Sequence, residues 1–110
     1  MLDLQSNQLS DQHITMLVSS RYVTALEWLN LSMTPLGNPG VESIASSPNL
    51  PDLNTLRLDN TRLTDDGLLA LAESNNLPKL RHVYLANVPF DRRQRGAKAL
   101  FDRLRATNQT

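Results

Sequence analysis

The 110-residue sequence contains four side chains of the types that enzymes use for acid–base chemistry: Ser32, Asp59, His82 and Tyr84. A hydroxyl nucleophile works only when its general base lies within hydrogen-bond reach and is itself oriented by a third group. No glycine-rich turn or oxyanion-hole motif stands beside His82 in the sequence. We therefore interpret His82 as a surface histidine and predict that the protein is not an enzyme, which leaves catalysis as a remote alternative.

Metal and phosphate binding are the next chemistries that residue types would allow. The chain has no cysteine, and its two histidines, His13 and His82, fall in different parts of the pattern described below. Zinc sites need closely spaced cysteine, histidine or carboxylate ligands, and no such group occurs. The segment 37–40 (G-N-P-G) lacks the Lys-Ser/Thr that follows a phosphate-binding loop. We predict no metal and no cofactor.

Positive charge is concentrated at the C-terminal end of a chain whose eleven basic and eleven acidic residues balance. Residues 91–110 contain two acidic residues and six basic ones, namely Arg92, Arg93, Arg95, Lys98, Arg103 and Arg105. These cations could contact an acidic protein, nucleic acid or lipid surface, or they could form the solvated outer face of a terminal helix. We favour the solvated face because no aromatic residue is interleaved with the cations. Nucleic acid and membrane are accordingly not expected as partners.

A 27-residue period organises the elements that must position these side chains. The segment 26–31 (L-E-W-L-N-L) recurs at 53–58 and 80–85, and a partial copy opens the chain at 2–4. Leucines alternate with polar residues there, as in a strand with one buried face. The predicted buried columns are Leu2, Leu29, Leu56 and Val83, then Leu4, Leu31, Leu58 and Leu85, then Leu9, Leu36, Leu63 and Phe90.

A helix is predicted after each strand. Asp11, Asn38 and Asp65 share one column, and each side chain can accept a hydrogen bond from a free N–H at the start of its helix. Apolar residues follow at i, i+3 and i+4. Gly40 and Gly67 share the next column, where we predict an approach to the neighbouring repeat too close for a Cβ atom. Prolines in the return segments are expected to end the helices.

The two terminal units are predicted to differ from the middle ones. In the last unit, Asp91 and Gln94 have the spacing of a capping box. An apolar stripe on a longer helix, formed by Ala97, Leu100, Phe101 and Leu104, is expected to close the stack. In the first unit, part of the apolar surface should stay exposed on Leu2, Leu4, Leu9, Ile14 and Leu17. We expect this N-terminal edge to self-associate or to continue into upstream repeats.

The L-x-x-L-x-L pattern at this period resembles the leucine-rich repeat family. Residues 58–68 are similar to the L-x-x-T-x-L-T-D-x-G-L version frequent in bacterial members of the helical, ribonuclease-inhibitor-like branch. The resemblance implies an α/β fold, a right-handed solenoid or horseshoe with parallel strands on the concave face and helices on the convex face. We predict a single domain, 1–110, with repeats at approximately 1–25, 26–52, 53–79 and 80–106.

One column departs from the family pattern. The position usually filled by Asn or Cys, whose side chain bonds the backbone between turns, holds Asn7, Thr34, Thr61 and Val88. Threonine can make these bonds less completely, and valine cannot make them. We therefore expect this support to weaken towards the last repeat.

The resemblance implies non-catalytic recognition of a protein through the concave face. Side chains that alternate with the leucines point out of the sheet, and the predicted contact residues are Trp28, Asn30, Arg57, Asp59, His82 and Tyr84. Thr55 is expected to be exposed on the same face. The alternative is a structural end-cap, or a fragment of a longer array, with no partner of its own. Extracellular relatives commonly carry cysteine-pinned caps, so a cysteine-free chain is predicted to be cytoplasmic.

Overall fold

A computed structural model describes residues 1–108 and contains four strand–helix units in series. The strands are β1 (Leu2–Asp3), β2 (Trp28–Asn30), β3 (Thr55–Arg57) and β4 (His82–Tyr84). The helices are α1 (Asp11–Val18), α2 (Asn38–Ser46), α3 (Asp65–Glu73) and α4 (Arg95–Asn108). A short 3-10 turn at Arg21–Val23 links α1 to β2.

The strands form one parallel sheet in the order β1-β2-β3-β4. Leu29 pairs with Leu2 on one side and with Leu56 on the other, and Leu56 pairs with Val83, so neighbouring strands are offset by one repeat. Parallel neighbours need a crossover connection, and each helix supplies one. Successive helices pack side by side as a second layer. The structure confirms the predicted strand positions and the α/β leucine-rich-repeat solenoid.

The core lies between the sheet and the helices and is closed in the middle units. Leu29, Leu31, Leu56 and Leu58 are completely inaccessible to solvent. At the two ends, the same columns are only half-buried, at Leu2, Leu4, Val83 and Leu85. Closure by the last unit is therefore confined to its helix, where Ala97, Leu100 and Leu104 are buried. Ile14 was expected to be exposed and is instead fully buried.

The N-terminus of each later helix is capped by the preceding unit, which corrects the predicted role of the Asp/Asn column. Asp11 Oδ1 accepts the N–H groups of Gly37 (2.8 Å) and Gly40 (2.9 Å) at the start of α2. Asn38 Oδ1 accepts those of Thr64 (2.9 Å) and Gly67 (3.1 Å) at α3. Asp65 accepts those of Gly96 and Ala97, both at 2.8 Å, at α4. None of the three caps its own helix.

These inter-unit caps explain the glycine column. A Cβ atom on Gly67 would lie 2.6 Å from Asn38 Oδ1, and one on Gly96 would lie 2.1 Å from the backbone oxygen of Asp65. Both separations are far shorter than a van der Waals contact. The prediction that a neighbouring repeat excludes a side chain here is confirmed. Gly37 has no such restriction, since its nearest neighbour would be 3.5 Å away.

The C-terminal ends of the helices are also bound by the following unit. The hydroxyl of Ser47 donates to the carbonyl of Val18 at the end of α1, and that of Ser74 donates to Ala45 in α2. Arg103 takes this role at α3 and donates to the carbonyl of Leu71. Arg103 was predicted to lie on a solvated face, and the structure instead buries it partly against α3, where burial lowers the pKa of its guanidinium.

Two predicted helix signals have other roles. Asp91 accepts a hydrogen bond from the N–H of Arg93, and α4 begins later, at Arg95, so the predicted capping box is wrong. Helix α3 ends at Glu73, where Ser74 turns to an extended conformation, well before Pro78. The interaction of Ser74 with α2 explains this end better than a proline does.

The turn after each strand has its own column structure. Ser6, Met33, Asn60 and Asn87 have positive φ, between 56° and 62°. The Thr34 and Thr61 hydroxyls each donate to a carbonyl of their own unit, Leu31 and Leu58 respectively, at 2.8 Å. These threonines therefore stabilise each turn internally and do not join neighbouring turns. Val88 has no side-chain donor, as the sequence predicted.

Candidate functional site

The parallel register brings the predicted contact residues onto one face of the sheet, which we call the sheet face. Trp28, Thr55 and His82 are paired across three strands in one row. The next outward row consists of Asp3, Asn30, Arg57 and Tyr84. Side chains at alternate strand positions share a face, so the buried leucines between these rows fix the orientation of both.

Accessibility divides the six predicted contact residues into two groups. Tyr84 and His82 are exposed, and Trp28 and Arg57 are half-buried. Asn30 and Asp59 retain only 4% and 7% of their accessible surface. Asn30 and Asp59 therefore lie beneath the contactable surface, which corrects their predicted role. Thr55 is also buried, at 8%, contrary to expectation.

Asp59 is the centre of a buried polar cluster in the sheet face. Its Oδ2 accepts hydrogen bonds from Arg57 Nε (3.2 Å), Arg57 Nη2 (2.8 Å) and the Ser32 hydroxyl (3.4 Å). Its Oδ1 accepts the N–H of Ala86 at 2.7 Å. Three neighbouring units thus supply donors to one carboxylate. Charge-assisted bonds of this kind are stronger than those between neutral groups, so the Arg57 head is held in a defined position.

The guanidinium group of Arg57 also stacks on an aromatic ring. Its Cζ atom lies 4.7 Å from the centroid of the Tyr84 ring, within the range of a cation–π contact. Arg57 therefore bridges Asp59, at its own strand end, and Tyr84 on the next strand. Since 41% of the Arg57 side chain is exposed, this fixed group is available to a partner.

Asn30 has a structural role within its own turn. Its Oδ1 accepts the N–H of Ser32 at 3.0 Å. Asp3, one strand earlier in the same row, accepts the N–H of Gln5 at 3.1 Å in the same way. A side chain that bonds its own backbone two residues onwards stabilises a turn. This equivalence shows why Asn30 is buried and is not a contact residue.

Trp28 lies at the opposite edge of the strands, beside a shallow groove. The groove is lined by Glu27, Trp28, Asp52, Asn54, Thr55 and Lys79. Lys79 Nζ and Asp52 Oδ1 form an ion pair at 2.9 Å, and the hydrogen bond from this pair raises the pKa of Lys79 above its ordinary value. The indole of Trp28 is thus flanked by a charged pair that a bound polar group could reach.

The geometry does not assemble the catalytic set considered from the sequence. The Ser32 hydroxyl bonds to Asp59, and it accepts the N–H of Asp59 at 3.2 Å. Within residues 1–108, no hydrogen bond joins His82 to Ser32 or to Asp59. A serine without an adjacent base is a weak nucleophile.

Two further searches concern metals and membranes. In the described part of the chain, no three His, Cys, Asp or Glu residues are grouped so that they could hold a metal ion. Residues 1–108 also contain no helix with the length and apolar character needed to span a bilayer.

Sequence reasoning missed the Asp59 cluster, although part of its signal was present. Residues two apart on a strand point to the same side, and Arg57 and Asp59 carry opposite charges at that spacing. The contributions of Ser32 and Ala86 could not be read in this way. They depend on how neighbouring turns are aligned in space.

The family comparison agrees with this architecture. Residues 24–45 and 49–72 match the sequence model of the leucine-rich repeat family. These segments include β2, α2, β3 and most of α3, the part of the molecule in which the repeat pattern is most regular.

One solved structure supports the fold across nearly the whole chain. The chain is similar to a structure titled Leiomodin-1 Actin-Binding Site 2 (ABS2), with a TM-score of 0.73 and 12% sequence identity. The similarity covers 97% of this chain and 79% of that chain. At such low identity it shows the fold alone. No curated protein matches the chain in sequence.

Proposed function

We propose that the protein is a non-catalytic recognition scaffold that binds a protein partner through the sheet face. The observation that carries this proposal is the fixed position of Arg57, which is bonded to Asp59 and stacked on Tyr84. Holding a long side chain in its bound conformation reduces the entropy lost on association. Arginine and tyrosine are also enriched among residues that dominate binding energy.

The contactable surface consists of Trp28, Arg57, His82 and Tyr84, with Asn30 and Asp59 as supports. Arg57 offers a partly exposed guanidinium that suits a carboxylate or a backbone carbonyl. Trp28 and Tyr84 offer flat apolar surface with a polar tip. We therefore expect a partner that presents a carboxylate beside an apolar side chain.

The finer family assignment belongs to this proposal. Every unit returns through a helix, of at least eight residues in α1 to α3, which supports the helical, ribonuclease-inhibitor-like branch. The bacterial resemblance and the cytoplasmic location stay predictions from the sequence. Leiomodin-1 is titled as an actin-binding site, and actin is therefore one defined protein to include among the candidates tested.

Two alternatives make different predictions. A structural end-cap or array fragment would bind nothing through the sheet face. An enzyme would require a nucleophile and a base in contact, an arrangement that Ser32 and His82 do not show. The partner experiment below separates recognition from the structural alternative.

The test is photo-crosslinking from the sheet face. We would replace His82 with p-benzoylphenylalanine, irradiate the protein in an extract of its source cells or with purified actin, and identify any crosslinked protein. The same group at Tyr22, which is 87% exposed in the 3-10 turn, is the matched control. We expect a specific protein to crosslink from position 82 only.

Binding of the captured protein would then be measured with Trp28→Ala and Tyr84→Ala. Each substitution should weaken binding by at least about 2 kcal/mol, as for a hot-spot residue, while the melting curve stays close to that of the parent. Unchanged binding in both variants would contradict the proposal. So would equal crosslinking from positions 82 and 22.

A further inference from the structure

Helix α4 has two faces with different surroundings. One face, with Gly96, Ala97, Leu100 and Arg103, packs against the third unit. The other carries Lys98, Phe101, Asp102 and Arg105, whose spacing places them on one side of a helix. Together with Arg92 and Arg93, these four residues line an open groove, which we call the terminal groove.

Arg92 occupies the position at which the earlier units bind the next helix. It follows Asp65 by 27 residues, as Asp65 follows Asn38 and Asn38 follows Asp11. Those three side chains accept N–H groups from the helix of the following unit. A guanidinium group has donors and no acceptor, so Arg92 cannot do so. It would also repel the positive N-terminal end of a helix placed in the same way.

The terminal groove is strongly cationic. Four of its six lining residues are Lys or Arg, and one is acidic. Arg93 is bonded to Asp91, and this contact holds the pKa of the Asp91 carboxyl below its usual value. Within residues 1–108, no carboxylate lies within ion-pair distance of Arg92 or Lys98. Two cations therefore face the groove without a carboxylate partner.

Phe101 gives the groove an apolar floor. Its ring is half-buried, packs against Phe90 at a centroid distance of 5.8 Å and lies beneath Arg92, whose Cζ is 5.3 Å from its centroid. Sites for single-stranded nucleic acid stack bases on free aromatic faces. Here the ring already contacts Arg92 and Phe90. The combination of cations and a small apolar floor suits a polypeptide better than a nucleic acid.

We propose that the terminal groove binds an acidic segment of a partner protein. Carboxylates of that segment pair with Arg92 and Lys98, and an apolar side chain packs on Phe101. A further repeat helix is excluded from this position by Arg92. The surface is separate from the sheet face, so this proposal and the proposed function can succeed or fail independently.

The test uses a fluorescein-labelled synthetic peptide in which pairs of glutamates alternate with pairs of leucines. Its binding to the full chain is measured by fluorescence anisotropy at low and high salt, beside a version with glutamine in place of glutamate. We expect the glutamate peptide to bind, the glutamine peptide to bind at least about tenfold more weakly, and salt to weaken the interaction because exposed charges are screened.

Two double variants make the result specific to the groove. Arg92→Glu with Lys98→Glu should reduce peptide affinity about tenfold or more, because like charges then face each other. Arg21→Glu with Arg62→Glu makes the same change in net charge at two exposed positions outside the terminal groove and should have a much smaller effect. Both pairs are exposed, so circular dichroism should show parent-like folds.

Three results would overturn the proposal. Peptide binding that both double variants weaken equally would reveal attraction to net charge alone. Tighter binding of a labelled oligouridylate, lost in the Arg92/Lys98 variant, would identify a nucleic-acid site. Absence of glutamate-peptide binding at low salt would show that the groove is only a solvated helix face.

Discussion

Asp59 shows how one side chain can determine the character of the sheet face. It is nearly inaccessible, yet it accepts hydrogen bonds from Ser32, Arg57 and Ala86, which lie in three successive units. Burying a carboxylate costs free energy unless it is paired and hydrogen-bonded. These contacts satisfy that requirement and fix the exposed part of Arg57, so a buried residue controls the chemistry of the surface.

At the residue scale, the first prediction concerns the inward leucines. Leu58 is completely buried in the middle of the stack, so Leu58→Ala should lower the free energy of unfolding by about 2–5 kcal/mol through the cavity it leaves. The measurement is urea denaturation followed by circular dichroism.

The control for Leu58 must be chosen from the structure. Thr55 is buried and its hydroxyl bonds to Asn54 at 2.9 Å, so it is unsuitable. His82 is exposed in the same row, and His82→Ala should change stability by no more than about 0.5 kcal/mol. Comparable losses in both variants would show that the inward and outward positions are wrongly assigned.

The second prediction concerns the close approach at Gly96. An alanine Cβ there would lie 2.1 Å from the backbone oxygen of Asp65, so α3 and α4 would have to separate. Gly96→Ala should cost about 1–3 kcal/mol, as for other overpacked sites. Gly37→Ala, whose nearest contact would be 3.5 Å away, is the matched control and should cost less. Thermal melts that rank the two variants in the opposite order would contradict the packing described.

At the scale of elements, each helix depends on its neighbours at both ends. The preceding unit accepts N–H groups at the start of α2, α3 and α4, and the following unit donates to carbonyls at the ends of α1, α2 and α3. Short isolated helices are marginal in water. The helices therefore gain stability from the stack, and we expect adjacent units to unfold together.

The third prediction tests one such cap. Asp65 bonds Gly96 and Ala97 at the start of α4, whereas the adjacent Asp66 is exposed in the same helical turn. Asp65→Ala should lower stability by about 1–2 kcal/mol, the usual effect of losing an N-cap. It should also speed hydrogen exchange in α4.

Asp66→Ala provides the comparison, because it removes the same charge from the same end of α3 and leaves the cap intact. Its effect should be within about 0.5 kcal/mol. If both variants lose the same stability and the exchange of α4 is unchanged, the contribution of Asp65 comes from the dipole of α3 instead.

At the scale of the whole molecule, the two ends of the stack differ in how they are finished. The N-terminal edge leaves Leu2, Leu4, Leu9 and Leu17 half-buried. The C-terminal end leaves Val83 and Leu85 half-buried in the strand layer, but its helix layer is covered by α4 and carries Arg92 at the cap position. Apolar surface that remains open favours association, and the N-terminal edge has no comparable block.

The fourth prediction follows from this difference. The 110-residue chain should self-associate through its N-terminal edge, and sedimentation velocity should show a species heavier than the 12.3 kDa monomer as concentration rises. Leu2→Lys should shift the distribution to monomer, whereas Tyr22→Lys, at an exposed site in the 3-10 turn, should not. A monomer at every concentration would contradict the prediction.

The sequence by itself determined the strands, the parallel order, the buried columns and the close approach at the glycine column. A repeat of fixed length places equivalent residues opposite each other, and the alternation of leucines with polar residues decides which side is buried. Most of the fold could therefore be predicted, as could the rows that contain Trp28, Arg57, His82 and Tyr84.

Only the tertiary structure decided which partner each polar side chain takes. Asp11, Asn38 and Asp65 look like caps for their own helices, yet they bind the next unit, and Arg103 is drawn inward to the end of α3. Asn30, Thr55 and Asp59 stand at outward positions, yet neighbouring turns bury them. The periodic pattern specifies the direction of a side chain, whereas its burial and hydrogen-bond partners depend on distances between units that are far apart in sequence.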